Sequence, residues 1–222
     1  MMPLNPIQVN TLRSAINAYG FPPTHYDFNA MTPVYSTNMT GVEKAIQTML
    51  LSSSPAVVKQ GLANVLYWGY AQIGFGPNRL HRFWNIVTAT QIAQFQALIL
   101  THSVPSLRQL RAIGMPEFSG ISFLSKVLMF LDPVNYCVLD LQLAGIRITP
   151  PTRSLHRLVV HGTTIGATFH NQNIYNAWCA DCANINHLYY GGAYRVADIE
   201  RGFFQLIQTG NLQTAQTIYA AV

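Results

Sequence analysis

Helical spacing of apolar residues is the feature that most constrains the fold of this 222-residue chain. Over residues 56–75, apolar side chains recur at intervals of three and four, which is the period of an amphipathic α-helix. Ser54 and Pro55 stand directly before this run, and a serine cap followed by a first-turn proline is a common helix start. The pattern therefore predicts a long helix here.

Comparable signals predict helices along most of the chain. Thr40 and Glu43 fit a capping box that opens a helix over 41–52. Further helices are predicted over 6–18, 78–87, 90–102, 105–113, 121–131, 140–147, 173–186, 194–208 and 212–220. Strand signals are weak: the stretch 158–169 is compatible with a short hairpin or a loop, and the proline-rich stretch 21–33 is predicted as loop. The predicted fold class is all-α.

Composition excludes several classes of protein. Half of the residues are hydrophobic and only 9% are charged, so the chain has ample material for a core and is not disordered. Its apolar runs are too short to span a bilayer, and its start shows no signal-peptide pattern. Three cysteines cannot pair evenly, which favours a reducing compartment. We expect a cytoplasmic monomer that does not bind membranes.

The charge balance favours an anionic partner. The chain has 13 Lys+Arg against 8 Asp+Glu, and all but three of the bases are arginine, which forms forked hydrogen bonds to phosphate. Nucleic acid is the most common partner of such a chain, and a merely basic soluble protein is the alternative. A reaction that needs a carboxylate side chain must use one of the 8 acidic residues. They are Asp27, Glu43, Glu117, Asp132, Asp140, Asp181, Asp198 and Glu200.

The most informative stretch is 105–145. It predicts a helix that ends at Gly114, followed by a short turn up to Gly120. A second helix is predicted over 121–131 and ends at an Asp-Pro pair, and a further helix is predicted to start at Asp140. A turn of this kind can present backbone N–H groups at a helix N-terminus to a phosphate. An ordinary helical hairpin is the commoner alternative.

This order of features resembles the helix–hairpin–helix DNA glycosylase superfamily, and within it the 8-oxoguanine-glycosylase-like branch. The segment SKVLMFLDPVNYCVLD (125–140) is similar to the family pattern without gaps, whereas the hairpin departs from the usual L-P-G-[IV]-G form. The resemblance implies one domain over 1–222, built of two intertwined helical lobes around a cleft. The hairpin and catalytic segment, 105–145, would lie at the mouth of that cleft.

The resemblance implies a catalytic role for Asp140, which stands where the family has its aspartate. A carboxylate there stabilises the oxocarbenium-like sugar that forms when an N-glycosidic bond breaks. The lysine nucleophile of family members that also nick the strand would fall at Ile121 or Ser122. Lys126 is one helical turn further along, so we expect it to support the aspartate or a phosphate. The enzyme is then predicted to be monofunctional, and the competing interpretation keeps Lys126 as nucleophile through a shifted hairpin.

An enzyme of this class flips its target base into a pocket that has aromatic walls. Trp68 is the first candidate for such a wall, because the neighbouring Gly69 would let a planar group approach its helix. The other candidates for substrate binding are Tyr67, Gln142 and Trp178.

Double-stranded DNA with a modified base is the implied partner. The residues expected to bind it are Gly114, Phe118, Ser119, Gly120, Ser122, Arg111 and Arg147. Additional arginines offer plausible phosphate contacts, namely Arg79, Arg82, Arg108, Arg153 and Arg157. The substrate is expected to be either an 8-oxoguanine-like lesion or a modified cytosine of phage DNA, attacked in antiviral defence.

No cofactor or metal is predicted, although the resemblance leaves room for a monovalent or alkaline-earth ion at the hairpin. Cys179 and Cys182 are three residues apart on a predicted helix, which indicates packing rather than a zinc or iron–sulfur site, and Cys137 is expected to be remote. Two other classes of function stay open. One is a non-catalytic helical nucleic-acid-binding protein that uses the hairpin as a phosphate clamp, and the other is a helical interaction module.

Overall fold

The computed structural model describes residues 3–102 and 104–222. Over this part the chain forms ten α-helices and a single two-stranded sheet, so the all-α prediction is confirmed at the level of a mostly helical fold. The helices are α1 (Pro6–Asn17), α2 (Met39–Leu50), α3 (Pro55–Gly69), α4 (Gly76–Ile86), α5 (Ala89–His102), α6 (Leu107–Ala112), α7 (Ile121–Leu131), α8 (Phe169–Tyr190), α9 (Val196–Gln208) and α10 (Leu212–Ala221). In the same described part, no helix is long and apolar enough to cross a membrane.

The chain divides into two compact units. The first, called here the terminal unit, comprises Met1–Gly20 and Pro133–Val222, and the second, the central unit, comprises Phe21–Asp132. The terminal unit is thus built from two separate stretches of the chain. The predicted hairpin lies in the central unit, whereas Asp140 lies in the terminal unit.

Helix α3 is the core of the central unit. Its residues from Gly61 to Trp68 are all buried, as expected of a helix that is surrounded by other elements rather than lying on a surface. A Cβ atom at Gly61 would lie 2.9 Å from the backbone nitrogen of Leu50, so glycine allows α2 to pack closely there. The helix is therefore in contact with neighbours on several sides.

The terminal unit is built around α8 and α9. Trp178 and Tyr175 of α8 are fully buried, and the Trp178 indole meets the ring of Phe203 edge-on at 5.5 Å. Gly202 of α9 lies against α1, where a Cβ atom would come within 2.8 Å of the Leu12 side chain. These contacts pack α9 between α8 and α1.

The prediction of a loop over 21–33 is wrong. Strands β1 (Thr24–Asp27) and β2 (Thr32–Tyr35) pair there as an antiparallel hairpin. The buried side chain of Asn64 on α3 accepts a hydrogen bond from the backbone N–H of Tyr26 at 2.6 Å and donates one to its carbonyl at 3.1 Å. This long-range contact holds β1 against α3. The stretch 158–169 forms only an isolated bridge between His161 and Thr164.

Several predicted helix ends also differ from the structure. The N-cap of α2 is Asn38 rather than Thr40, and Glu43 is buried instead of closing a capping box. No α-helix begins at Asp140: a turn is followed by a 3-10 helix over Leu143–Ile146. The bounds predicted for α7 agree with the structure, whereas α8 is longer than predicted at both ends.

Candidate functional site

The hairpin is formed by α6, the turn over 113–120 and α7. Gly114 adopts the left-handed conformation with φ of 69°, and its N–H donates to the carbonyl of Arg111 at 3.0 Å. Gly120 is the N-cap of α7 in extended geometry, and it provides no side chain to accept from the first-turn N–H groups. The turn therefore leads into a helix N-terminus whose backbone donors are not capped by a side chain.

The turn is held in place by contacts from α4 and α5. Glu117, also left-handed at φ of 69°, is 8% exposed at its side chain, and its carboxylate binds Arg79 at 2.9 Å and Arg82 at 3.1 Å. Gln91 of α5 donates to the carbonyl oxygen of Gly114 at 2.8 Å. The two arginines that the sequence suggested as phosphate contacts are thus ion-paired with the turn itself.

The predicted DNA-binding residues of the turn differ in exposure. Gly114 and Ser119 are exposed, and Gly120 and Ser122 are partly exposed. Phe118 is 1% exposed and packs edge-on against Phe83 at 5.6 Å. A DNA contact at Phe118 would therefore involve its backbone, because its ring belongs to the core.

Lys126 is buried within the central unit. Its Nζ donates to the carbonyl oxygen of Ser122 at 3.1 Å and lies 5.1 Å from the centre of the Phe123 ring. The side chain thus extends back along α7 and places its ammonium beside Ser122, one helical turn earlier. Gly69 packs against the same side chain, since a Cβ atom there would lie 3.1 Å from Lys126 Cδ.

Asp140, in the terminal unit, closes its own turn. One carboxylate oxygen, Oδ1, accepts from the backbone N–H of Gln142 at 3.0 Å and of Leu143 at 3.2 Å, and the Asp140 carbonyl accepts from Ala144 at 2.9 Å. Exposed Gln142 accepts a hydrogen bond at Oε1 from Gln208 Nε2 of α9. The carboxylate is therefore held by short-range bonds in a segment that is itself anchored to α9.

A cluster of charged groups lies around the phenol of Tyr19 in the terminal unit, close enough to Asp140 for their charges to interact. Arg201 and Glu200 of α9 are buried, and the Arg201 guanidinium lies 5.3 Å from the centre of the Tyr19 ring and 3.1 Å from Asp198 Oδ1. Burial raises the pKa of Tyr19 well above its ordinary value, Arg201 opposes this increase, and the charges of Glu200 and Asp140 add to it. Asp140 therefore interacts electrostatically with Tyr19.

The segment directly before Asp140 is fixed to α8. Trp178 Nε1 donates to the carbonyl of Val138 at 3.2 Å, and the hydroxyl of Tyr175 donates to the carbonyl of Cys137 at 2.9 Å. Trp178 is fully buried, so in this structure its indole is part of the core and supports the backbone before Asp140. Contact between Trp178 and a flipped base stays a prediction.

Tyr67 and Trp68 are also buried, in the central unit. Trp68 packs on Phe21 at 4.7 Å and on Phe130 at 5.0 Å, and Tyr67 lies 5.6 Å from Tyr26. Burial raises the pKa of Tyr67. Their role toward a base stays a prediction, and the space beside Gly69 that suggested it is filled by α7.

The two predicted arginine contacts outside the turn are both exposed. Arg111 lies in the last turn of α6. Arg147 donates from Nε to the carbonyl of Ala144 at 2.8 Å and from Nη1 to that of Leu158 at 3.0 Å. Its guanidinium therefore links two backbone segments.

The cysteines are brought together. The expectation that Cys137 is remote is wrong, because its sulfur lies 3.7 Å from that of Cys179, and Cys182 is buried nearby in the same helix as Cys179. Burial raises the pKa of Cys182 to about 11. Within the described ranges, no group of three or more His, Cys, Asp or Glu side chains is placed to hold a metal ion.

Sequence reasoning missed the role of Glu117. The sequence did contain a signal. The chain has only 8 acidic residues, and Glu117 is the one that lies between the two glycines of the turn. Sequence reasoning also missed a cluster formed by Arg153, His156, Asp181 and Tyr219, because these residues are far apart in sequence and follow no motif.

Comparison of the chain with protein-family models, with curated proteins and with solved structures gave no match. A function for this chain therefore has to be argued from its own residues.

Proposed function

We propose that the chain is a DNA glycosylase that flips a damaged or modified base out of duplex DNA and hydrolyses its N-glycosidic bond, leaving an abasic site. The observation that supports this most is the hairpin, in which the nearly buried carboxylate of Glu117 pairs with the exposed arginines Arg79 and Arg82. These ion pairs fix a turn that leads into the uncapped N-terminus of α7 at Gly120. The resemblance of residues 125–140 to the glycosylase pattern adds the chemistry.

The hairpin is proposed to bind the DNA backbone. Uncapped N–H groups at a helix N-terminus, together with the helix dipole, favour a phosphate. Exposed Ser119 and partly exposed Ser122 offer hydroxyl donors on either side of Gly120. Such contacts position duplex DNA without regard to sequence, as a repair or defence enzyme that scans DNA requires.

Asp140 is proposed to stabilise the positive charge that develops on the sugar, and to orient the water that attacks it. Its backbone hydrogen bonds from Gln142 and Leu143 fix the carboxylate in one orientation. Tyr19 and Arg201 are proposed as positioning residues in the same electrostatic cluster. We propose hydrolysis without strand cleavage, since neither Ile121 nor Ser122 carries an amine and the Nζ of Lys126 is hydrogen-bonded to the Ser122 carbonyl.

The substrate is proposed to be 8-oxoguanine-like DNA, with the modified cytosines of phage DNA as the second choice. The test is release of free base from a panel of duplexes with modified bases, measured by mass spectrometry. We expect the Asp140→Asn variant to lose base release by about two orders of magnitude or more while its folding and its salt-dependent retention on DNA persist. Asp132→Asn removes the same charge eight residues earlier and is the matched control.

A non-catalytic nucleic-acid-binding protein is the second candidate, and one observation favours it: Asp140 serves its own turn in the way that a purely structural aspartate does. Such a protein would bind duplex DNA in a salt-dependent manner and release no base from any duplex of the panel. A helical interaction module would not bind DNA at all, which would overturn both proposals.

A further inference from the structure

A second cluster of polar side chains lies in the terminal unit, at the segment 152–157. The Nδ1 atom of His156 accepts hydrogen bonds from the backbone N–H of Thr152 and of Arg153, both at 3.1 Å. A ring nitrogen that accepts in this way is unprotonated, so the proton of the neutral imidazole is on Nε2. Burial and the neighbouring guanidinium of Arg153 lower the pKa of His156, and the ring is neutral near pH 7.

Two donors of this cluster are buried without an acceptor. In the part of the chain that the structure describes, His156 Nε2 and Arg153 Nη2 are both shielded from solvent and have no hydrogen-bond partner. His156 is 7% exposed as a whole. Donors buried in this way cost free energy unless a further molecule accepts from them, so the pair indicates a ligand with acceptor oxygens.

The walls of the cluster are fixed by Tyr219 and Asp181. The His156 ring meets Tyr219 edge-on at 5.2 Å, and the Tyr219 hydroxyl accepts from the backbone N–H of Leu155 at 3.2 Å and donates to Asp181 Oδ2 at 2.6 Å. Burial raises the pKa of Asp181, whereas the charge of Arg153 opposes that increase. Arg153 is thus close enough to influence Asp181, yet among the described residues the two form no ion pair.

We propose that Arg153 and His156 form a binding site for a phosphate group, in which one anionic oxygen accepts from Arg153 Nη2 and His156 Nε2. A guanidinium beside a neutral imidazole N–H donor offers one full positive charge and two directed hydrogen bonds, which matches phosphate. A phosphate that retains one proton can also donate to Asp181, so the carboxylate does not oppose its binding. The site does not depend on the proposed glycosylase activity.

The test uses the whole chain and inorganic phosphate, with sodium chloride at equal ionic strength as the reference. We expect phosphate to raise the midpoint of thermal unfolding and to shift the ¹⁵N resonance of His156 Nε2. In Arg153→Gln the affinity for phosphate should fall by about tenfold or more, because the charged donor is lost. Arg13→Gln removes the same charge from an exposed residue of α1 that has no part in the proposed site, and it should bind phosphate like the unmodified chain.

The source of the phosphate is decided by a second arm with a short unmodified DNA duplex. If the DNA backbone supplies the group, the duplex displaces inorganic phosphate and shifts the same His156 resonance. If a free phosphate or a phosphate monoester is the ligand, the duplex leaves that resonance unchanged. The proposal is overturned if inorganic phosphate has no effect beyond that of chloride, or if Arg153→Gln responds as the unmodified chain does.

Discussion

Gly69 of α3 lies directly against Phe123 of α7, so closely that a Cβ atom at Gly69 would come within 2.6 Å of Phe123 Cε1. The same Cβ atom would lie 3.1 Å from Lys126 Cδ. Glycine is therefore required by the approach of the second helix of the hairpin. The close packing of α7 on α3 holds the first turns of α7 in place. It thereby also positions the hairpin turn that leads into α7.

We expect Gly69→Ala to lower the free energy of unfolding by about 1–3 kcal/mol, the usual cost of an added methyl group in a filled contact. Urea denaturation measures this. Gly145→Ala is the control, because a Cβ atom there meets only Leu212 at an ordinary 3.7 Å, and its effect should stay within about 0.5 kcal/mol. Equal stability of the two variants would mean that α3 and α7 are packed less tightly than the structure has them.

Glu117 provides a test of the hairpin in which two effects have opposite signs. Glu117→Gln removes a negative charge, which by itself strengthens binding to DNA. It also removes the partner of Arg79 and Arg82 and loosens the turn. If the turn binds phosphate, we expect duplex retention to weaken and the midpoint of salt elution to fall. Asp27→Asn is the control, since it makes the same change of charge in the β1–β2 turn and should strengthen retention slightly.

Stronger retention of Glu117→Gln than of the unmodified chain would contradict the proposed role of the hairpin. The folding of each variant is checked by circular dichroism. An exposed salt bridge contributes little to stability, but the Glu117 carboxylate is almost buried, so its loss can also destabilise the fold. A collapse of the helical signal would reassign the effect to stability.

The prediction of the fold succeeded where local sequence decides the structure. Helix α7 begins and ends where helical spacing and an Asp-Pro pair predict, because its start and stop signals are short-range. The β1–β2 hairpin was missed because its strand geometry depends on the side chain of Asn64, 38 residues away from Tyr26. No periodicity in residues 21–33 contains that information.

The candidate site was predicted in part for the same reason. The hairpin and its glycines follow from the order of residues, whereas the ion pairs of Glu117 with α4 and the contact between Cys137 and Cys179 depend on tertiary packing. The helix predicted to start at Asp140 is replaced by a short 3-10 helix, since the carboxylate caps a tight turn instead. The chemistry assigned to Asp140 stays a prediction.

The neutral state of His156 predicts a dependence of stability on pH. Its pKa in the folded chain lies below the ordinary value, so the unfolded chain takes up a proton first as the pH falls. The stabilisation is present above pH of about 6.5 and is lost on acidification, by at most about 1.4 kcal/mol per pH unit. Burial also lowers the pKa of His25, so His25 contributes to the pH dependence with the same sign.

The measurement is the free energy of unfolding at pH 7.5 and at pH 5.5 in a phosphate-free buffer. In His156→Asn the side-chain oxygen can still accept from Thr152 and Arg153 but cannot gain a proton, so the loss between the two pH values should be smaller than in the unmodified chain. The part that remains is the sum of the other groups whose pKa is shifted, among them His25 and Asp181. An unchanged loss in His156→Asn would show that His156 is not the group that takes up the proton.

Lys126 decides whether the proposed enzyme also cleaves the strand. A lysine nucleophile forms an imine with the sugar, and borohydride reduces this to a stable covalent complex. Lys126 donates to the Ser122 carbonyl and is buried against Phe123, which holds the amine within its own helix. We therefore expect no trapped complex on any duplex from which base is released, and a product strand that breaks only after alkali or an added abasic-site nuclease.

Lys126→Gln should then retain base release, and any reduction should match the loss of stability of α7. Lys59→Gln is the control, because it removes an equal charge from α3. Trapping by borohydride that disappears in Lys126→Gln and persists in Lys59→Gln would contradict the prediction. In that case the nucleophile is the neutral amine that Lys126 forms on losing a proton, beside Ser122, and the enzyme is a bifunctional glycosylase and lyase. Base release without trapping assigns the attack to water oriented by Asp140.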